Sequence, residues 1–143
     1  MTIHQISVFL ENRLGQLAEI TKLLADANVD IRAISIAETS DYGVARMIVD
    51  DCYKASSILL QHGDVLSMTP VWAVEVPDRP NGLAELLAVL AEAQVDVEYM
   101  YSLFTKTAGK AYMVLRVSDE AKLLNALGTR QIKILNKEEL GQK

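Results

Sequence analysis

The chain contains the same segment twice, 66 positions apart: Arg13–Asp30 reads RLGQLAEITKLLADANVD, and Arg79–Asp96 reads RPNGLAELLAVLAEAQVD. Nine of these eighteen positions are identical without a gap: Arg13/Arg79, Leu17/Leu83, Ala18/Ala84, Glu19/Glu85, Leu24/Leu90, Ala25/Ala91, Ala27/Ala93, Val29/Val95 and Asp30/Asp96. The same offset pairs Gly43 with Gly109, Ala45 with Ala111, Met47 with Met113, and Ala55 with Ala121. A register held from Arg13 to Ala55 implies one supersecondary unit used twice. Function is then expected in the repeated unit or in the seam between two copies.

The repeat divides the 143 residues into two units, 1–69 and 70–143. A unit of that size buries only about 60% of its unfolded surface and is marginal alone. Half the residues are hydrophobic, so some apolar surface is expected to close one unit on the other or on a second chain. The net charge of −5 comes without a basic cluster, which leaves no electrostatic footprint for nucleic acid. No run of eighteen apolar residues occurs, and MTIHQISVFLEN lacks the basic-then-apolar order of an export signal. The expectation is a cytoplasmic chain that does not span a membrane. The single cysteine, Cys52, has no internal disulfide partner and fits a reducing compartment.

Each copy reads strand, helix, strand, strand, helix, strand. Ile6, Val8 and Leu10 alternate, as do Trp72, Val74 and Val76. After a turn, Leu17, Ile20, Leu24 and Ala27 form a helical stripe that Leu83, Leu86, Leu90 and Ala93 repeat. Extended segments follow at Val29-Asp30-Ile31 and Val95-Asp96-Val97. Turns at Ser40–Gly43 and Thr107–Gly109 lead into third strands, with Met47 and Val49, or Met113 and Leu115, facing the core. Acidic and capping residues at Asp50-Asp51 and Ser118-Asp119-Glu120 start second helices. These helices are expected to end at Gly63 and Gly128. Val65–Met68 and Gln131–Leu135 supply the last strands, with only Thr69–Val71 between the copies. The predicted fold class is α+β: two ferredoxin-like βαββαβ units, each an antiparallel sheet with helices on one face. The run from Val95 to Phe104 is apolar at alternate positions of both parities, through Tyr99, Tyr101, Leu103 and Met100. A half-solvated strand alternates cleanly, so a partner unit is expected to cover it.

Catalytic chemistry has no foothold. His4 lies in a first strand and His62 in a last helical turn, where the helix dipole suits it; Cys52 has no neighbouring histidine. No cysteine or histidine pair has metal-ligand spacing, and no phosphate loop or dinucleotide turn is present. The expectation is no enzyme activity, no metal and no cofactor. An RNA platform would need basic and aromatic central strands, and KAYMVLRV offers only Tyr112. A copper carrier would need a Cys-x-x-Cys loop, which is absent.

The repeated turn before each first helix is the candidate site. A helix N-terminus offers unpaired N–H groups and a positive dipole end, which accept a carboxylate where the backbone can be approached. Gly15, and Asn81 with Gly82, permit that approach. Asn12 and Asp78 are capping types, and Arg13 and Arg79 carry planar forks for a carboxylate. A tight turn wants these same residue types for its own sake, so the residues alone leave both readings open. Glu19 and Glu85 read as an exposed helix face; Asp30 and Asp96 read as charges that guard an edge strand.

The stretches Asp78-Arg79-Pro80-Asn81-Gly82-Leu83-Ala84-Glu85-Leu86 and Leu90–Val97 resemble an ACT domain. That family's marks are a D-R-P-G-x-L-A-type turn, an Ala/Leu-rich helix ending A-E-A-G, and a V-N/D-I strand. Glu11–Leu17 and Ala25–Ile31 are similar and looser, so the whole chain looks like a free-standing tandem ACT pair. The resemblance implies a regulatory module that binds a free amino acid and pairs side by side, as a homo-oligomer such as a dimer. It places the ligand where the turn of one unit meets the second strand of its partner. Carried over, the site comprises Asn12, Arg13, Leu14, Gly15 and Gln16 with Asp30 and Ile31, and Asp78, Arg79, Pro80, Asn81 and Gly82 with Asp96 and Val97. Leu14 stands where the motif has Pro and Asn81 where it has Gly, so the two sites are expected to be unequal, the first better for an anion. Three roles stay open: a sensor in its own right, a regulatory subunit of an amino-acid-biosynthetic enzyme, and an association module with vestigial ligand sites.

Overall fold

The computed structural model describes residues 2–11, 13–38, 41–104 and 108–143. Its elements are β1 (Ile3–Glu11), α1 (Gln16–Asp26), β2 (Ile31–Glu38), β3 (Tyr42–Val49), α2 (Cys52–His62), β4 (Leu66–Pro77), α3 (Gly82–Glu92), β5 (Val97–Ser102), β6 (Lys110–Val117), α4 (Glu120–Thr129), β7 (Ile134–Leu135) and α5 (Lys137–Leu140). They form two compact units, one of Ile3–Pro70 with Lys137–Lys143, the other built on Val71–Asn136.

In the first unit β3 lies between β2 and β1, antiparallel to both. The chain entering β4 runs along the other side of β1, where the Phe9 N–H donates to the Val65 carbonyl at 2.9 Å. In the second unit β6 lies between β5 and β4, and β7 flanks β4, all antiparallel. Both units therefore have the same strand order, as the repeat requires. Each sheet carries its two helices on one face. Ile20 and Leu24 of α1 and Ala55 and Leu59 of α2 pack on Ile6, Val8, Met47 and Val49. Leu86 and Leu90 of α3 and Leu123 and Leu127 of α4 pack on Trp72, Val74, Leu115 and Val117. The aspartates cap the second helices: Asp51 accepts from the Lys54 N–H and Asp119 from the Lys122 N–H.

Several local expectations are corrected. Thr69–Val71 is not a connection between strands but the middle of one strand, β4. No glycine, asparagine or aspartate interrupts it, and the fixed φ of Pro70 suits extended chain. Ile6 faces Met47, but Trp72 faces Leu115, so equivalent residues are 66 apart in the first strands and 68 apart in the third. Met47 thus corresponds to Leu115, and Met113 to Ala45. The second helix of copy two does not end at Gly128; α4 continues to Thr129, and Gln131 takes the left-handed conformation (φ 56°) that Gly63 takes in copy one (φ 95°). Leu17 and Leu83, expected in the core, are 37% and 41% exposed. The helical stripe reaches the sheet only from Ile20 and Leu86 onward.

The doubly apolar second strand also has a local cause. The pairing slips between Val97 and Tyr99, and equally between Ile31 and Ala33. A bulge shifts the side-chain alternation by one residue. Val97 and Met100 consequently pack on the helix-side core, whereas Tyr99 and Tyr101 stack on each other at 6.5 Å. Tyr101 and Leu103 are buried and Phe104 is exposed.

The segment after β7 belongs to the first unit. The Gln142 side chain accepts from the His4 N–H at 2.9 Å and donates to the carbonyls of His4 and Val49 at 2.9 and 3.0 Å. Lys143 N–H reaches the Asp50 carbonyl at 2.7 Å, and Leu140 is buried. Burial, followed by the Lys137 ammonium 2.9 Å from Nδ1, holds His4 below its ordinary 6.5.

Candidate functional site

Both first helices begin in a hydrogen-bonded turn of the same pattern. Arg13 N–H bonds to Glu11 C=O and Glu19 N–H to Gly15 C=O; Arg79 bonds to Pro77 and Glu85 to Asn81 likewise. Among the described residues nothing accepts from the N–H groups of Leu17 and Ala18, or of Leu83 and Ala84. These are the orphan donors of a helix start. Neither helix has a side-chain cap at its N-cap residue, Gly15 or Asn81. Asn12 lies outside the described residues. Asp78, a capping type, instead donates its N–H to the Gly109 carbonyl.

The turns differ at the glycine. Gly15 is left-handed, at φ 83°, with open space where a Cβ would stand. Its counterpart Asn81 avoids that region, at φ −93°, as a residue with a Cβ prefers. The glycine of copy two is one residue later. Gly82 is buried and close under the backbone, where an added Cβ would collide with the Pro77 carbonyl oxygen. Copy one has Gln16 at that place, a full side chain that is 6% exposed. Its amide oxygen is buried without a hydrogen-bond partner.

The arginine forks are turned inward. Arg13 donates to both oxygens of Glu19, at 3.0 and 3.2 Å, and Arg79 reaches Glu85 at 2.8 Å. That bond, then the charge of its partner, holds the Glu19 carboxyl below its ordinary range and raises the Arg13 guanidinium. The repetition of both pairs, six residues apart in both copies, is the signal in the sequence that they belong together.

A groove of about 630 Å³ lies beside the first turn. Its walls are Arg13–Ala18 on one side and Leu10, Glu11, Ile36, Glu38, Tyr42 and Gly43 at the ends of the strands on the other. Leu10 and Glu38 both face Gly43 across the pairing, so the hairpin register brings the end of β2 to the turn. Exposed Leu14, Leu17, Ile36 and Tyr42 make it partly apolar. Neither Glu11 nor Glu38 forms an ion pair among the described residues. Ile36, Glu38 and Tyr42 were not singled out by sequence, because only the strand register places them here.

Asp30 and Ile31 do not meet the turn of their own unit. Asp30 N–H bonds to the Asp50 carboxylate and Asp30 C=O takes the Asp50 N–H, at the far end of β2. Asp96 occupies the same corner in the second unit, accepting from the Ser118 hydroxyl and N–H, with Val97 beginning β5 beside it. An eleven-residue helix separates each turn from its own unit's aspartate, roughly 16 Å of rise. The second unit has a groove of about 450 Å³ along α3, reaching from Gly82 to Arg130 and Ile132. Its charges are matched internally, Glu85 with Arg79 and Glu92 with Arg130 at 2.8 Å each.

Among the described residues no three His, Cys, Asp or Glu cluster as metal ligands, and no helix is long and apolar enough to cross a membrane. Cys52 is buried, and burial pushes its thiol from 9.0 up to about 11. The thiol's burial stabilises the fold fully below pH 9, and this contribution fades as pH rises toward 11. Alkylation of the native protein at pH 8 is expected to be far slower than after unfolding in urea. Equal rates would place the thiol at the surface.

The profile of the ACT domain pair family matches residues 1–142. A crystal structure of a protein from Bacteroides thetaiotaomicron superposes with a TM-score of 0.89 at 35% identity, over 100% of this chain and 98% of that one. The ligand-free regulatory subunit of aspartate kinase from Thermus thermophilus gives 0.64 at 16% identity, over 88% and 90%. The corresponding Thermus flavus subunit gives 0.58 at 16%, over 90% and 93%. Likeness at such low identity speaks for the fold alone. No curated protein matches the chain.

Proposed function

The chain belongs to the ACT domain pair family, and we propose that it is a non-catalytic regulatory protein whose first turn binds a free amino acid. The observation that carries this reading is the groove at Gly15. It combines the unpaired N–H groups of Leu17 and Ala18 with carboxylates at Glu11 and Glu38 and apolar walls. The ligand's carboxylate takes the helix N–H groups, where the dipole favours an anion. Its ammonium takes Glu38 or Glu11. Asp30 of the same unit is out of reach of a ligand held on the turn. Arg13, engaged by Glu19, shapes the turn and leaves the anion to the backbone. The turn Asp78–Gly82 is the weaker site, because Asn81 adds a side chain where Gly15 has none.

A thermal-shift screen of the twenty amino acids tests this. Ligand at a hundred times its dissociation constant adds about 2.7 kcal/mol, which raises the melting temperature of a chain this size by several degrees. Gly15→Val is expected to abolish the shift. Gly109→Val, at a similar left-handed φ of 76° but in the other unit, is expected to retain it. A screen with no shift, or a shift that survives Gly15→Val, overturns the reading.

A further inference from the structure

Gln16 carries chemistry that the first turn does not need. Its counterpart Gly82 has no side chain, and none fits there. Gln16 instead carries a side chain that is 6% exposed into the structure, leaves its Oε1 without a partner, and contributes to the groove wall. A buried amide that lacks a partner destabilises the ligand-free protein. A methionine or leucine would fill the same space without that penalty. The other unpaired polar groups along this groove, Glu11 and Glu38, are also acceptors. Among the described residues, the N–H groups of Leu17 and Ala18 are unpaired donors that suit a carboxylate.

From this balance we infer that Gln16 selects the ligand: its amide oxygen accepts a hydrogen bond from the far end of the bound amino acid. The inference rests on the reading of the groove as an amino-acid site and adds the class of amino acid. With the carboxylate on the Leu17 and Ala18 N–H groups and the ammonium at the exposed glutamates, the ligand's side chain is left to meet the buried, unpartnered Oε1 of Gln16. The ligand class is therefore an amino acid whose side chain ends in an N–H or O–H donor. Leucine, valine and norleucine fill the groove but leave the amide oxygen unpaired. Aspartate and glutamate bring an acceptor to a groove already crowded with acceptors. A site built around a hydrogen bond rejects the analogue that lacks the donor more strongly than an apolar pocket rejects a hydroxyl.

The experiment is calorimetric titration of near-isosteric pairs, asparagine against leucine, threonine against valine, and lysine against norleucine, into wild type and Gln16→Met. For at least one pair, wild type is expected to prefer the donor-bearing member by tenfold or more. In Gln16→Met the preference for that pair falls to within about twofold, while the apolar member binds as before. The variant's melting temperature without ligand is expected to be at or above wild type, which shows that it folds. Binding of donor-bearing and apolar members alike in wild type, or a preference unchanged in Gln16→Met, overturns the inference and leaves the amino-acid site standing. Absence of binding by every amino acid overturns the site itself and this inference with it.

Discussion

Replacement of Gly82 by alanine is expected to destabilise the second unit by about 3 kcal/mol, the upper part of the range for forcing extra atoms into a packed site. The added Cβ would meet the Pro77 carbonyl oxygen, which already accepts from Arg79 N–H at 2.9 Å. Neither partner is a flexible side-chain end, so the start of α3 must move away from β4. Against a total stability of roughly 5–15 kcal/mol that loss is large. Gly15→Ala is expected to lose less, about 1–2 kcal/mol, because open space surrounds Gly15 and the penalty is only that of the left-handed backbone. Urea unfolding of both variants measures the order. If Gly82→Ala unfolds at the wild-type midpoint, the close approach at Pro77 is not part of the native fold. By sequence both glycines are openings for a ligand, the first at the better site. Their neighbours separate them, one guarding a backbone contact and the other holding a strained turn.

Gln142→Ala is expected to remove about 2–3 kcal/mol from the first unit. It strips hydrogen-bond partners from the His4 N–H and the His4 and Val49 carbonyls in a buried place, and each unpaired buried group costs about 1–3 kcal/mol before the structure relaxes. Gln142→Glu is expected to do at least as much harm, because a carboxylate cannot donate to the two carbonyls. Hydrogen exchange at the His4 amide should rise in both variants, since that amide is bonded to Gln142 itself. Unchanged exchange would mean that the segment Lys137–Lys143 is not held on the first unit. Neither Gln142 nor α5 stands out in the sequence, because the residues that make them important are more than 90 positions away.

The sequence by itself determined the repeat, the order of elements in each unit and the helix-side core, because each follows from a local period. Ile20, Leu24, Leu86 and Leu90 are legible as core from helical spacing, and Asp51 and Asp119 as caps from their place before a helix. It also marked the turn at Gly15 as the point of interest, since a glycine between strand and helix has few explanations. Only the tertiary structure decided which groups meet there. Hairpin register carries Ile36, Glu38 and Tyr42 to the turn and leaves Asp30 at the opposite end of the strand. The bulges at Arg32 and Glu98, each a single extra residue in a strand, reassign which side chains face the helices, and period-two counting passes over them. The pairing of Arg13 with Glu19, and the burial of Gln16 without a partner, depend on side-chain geometry across a turn. Spacing fixes which residues are near in the chain, whereas the balance of donors and acceptors in a groove is set by residues that only folding brings together.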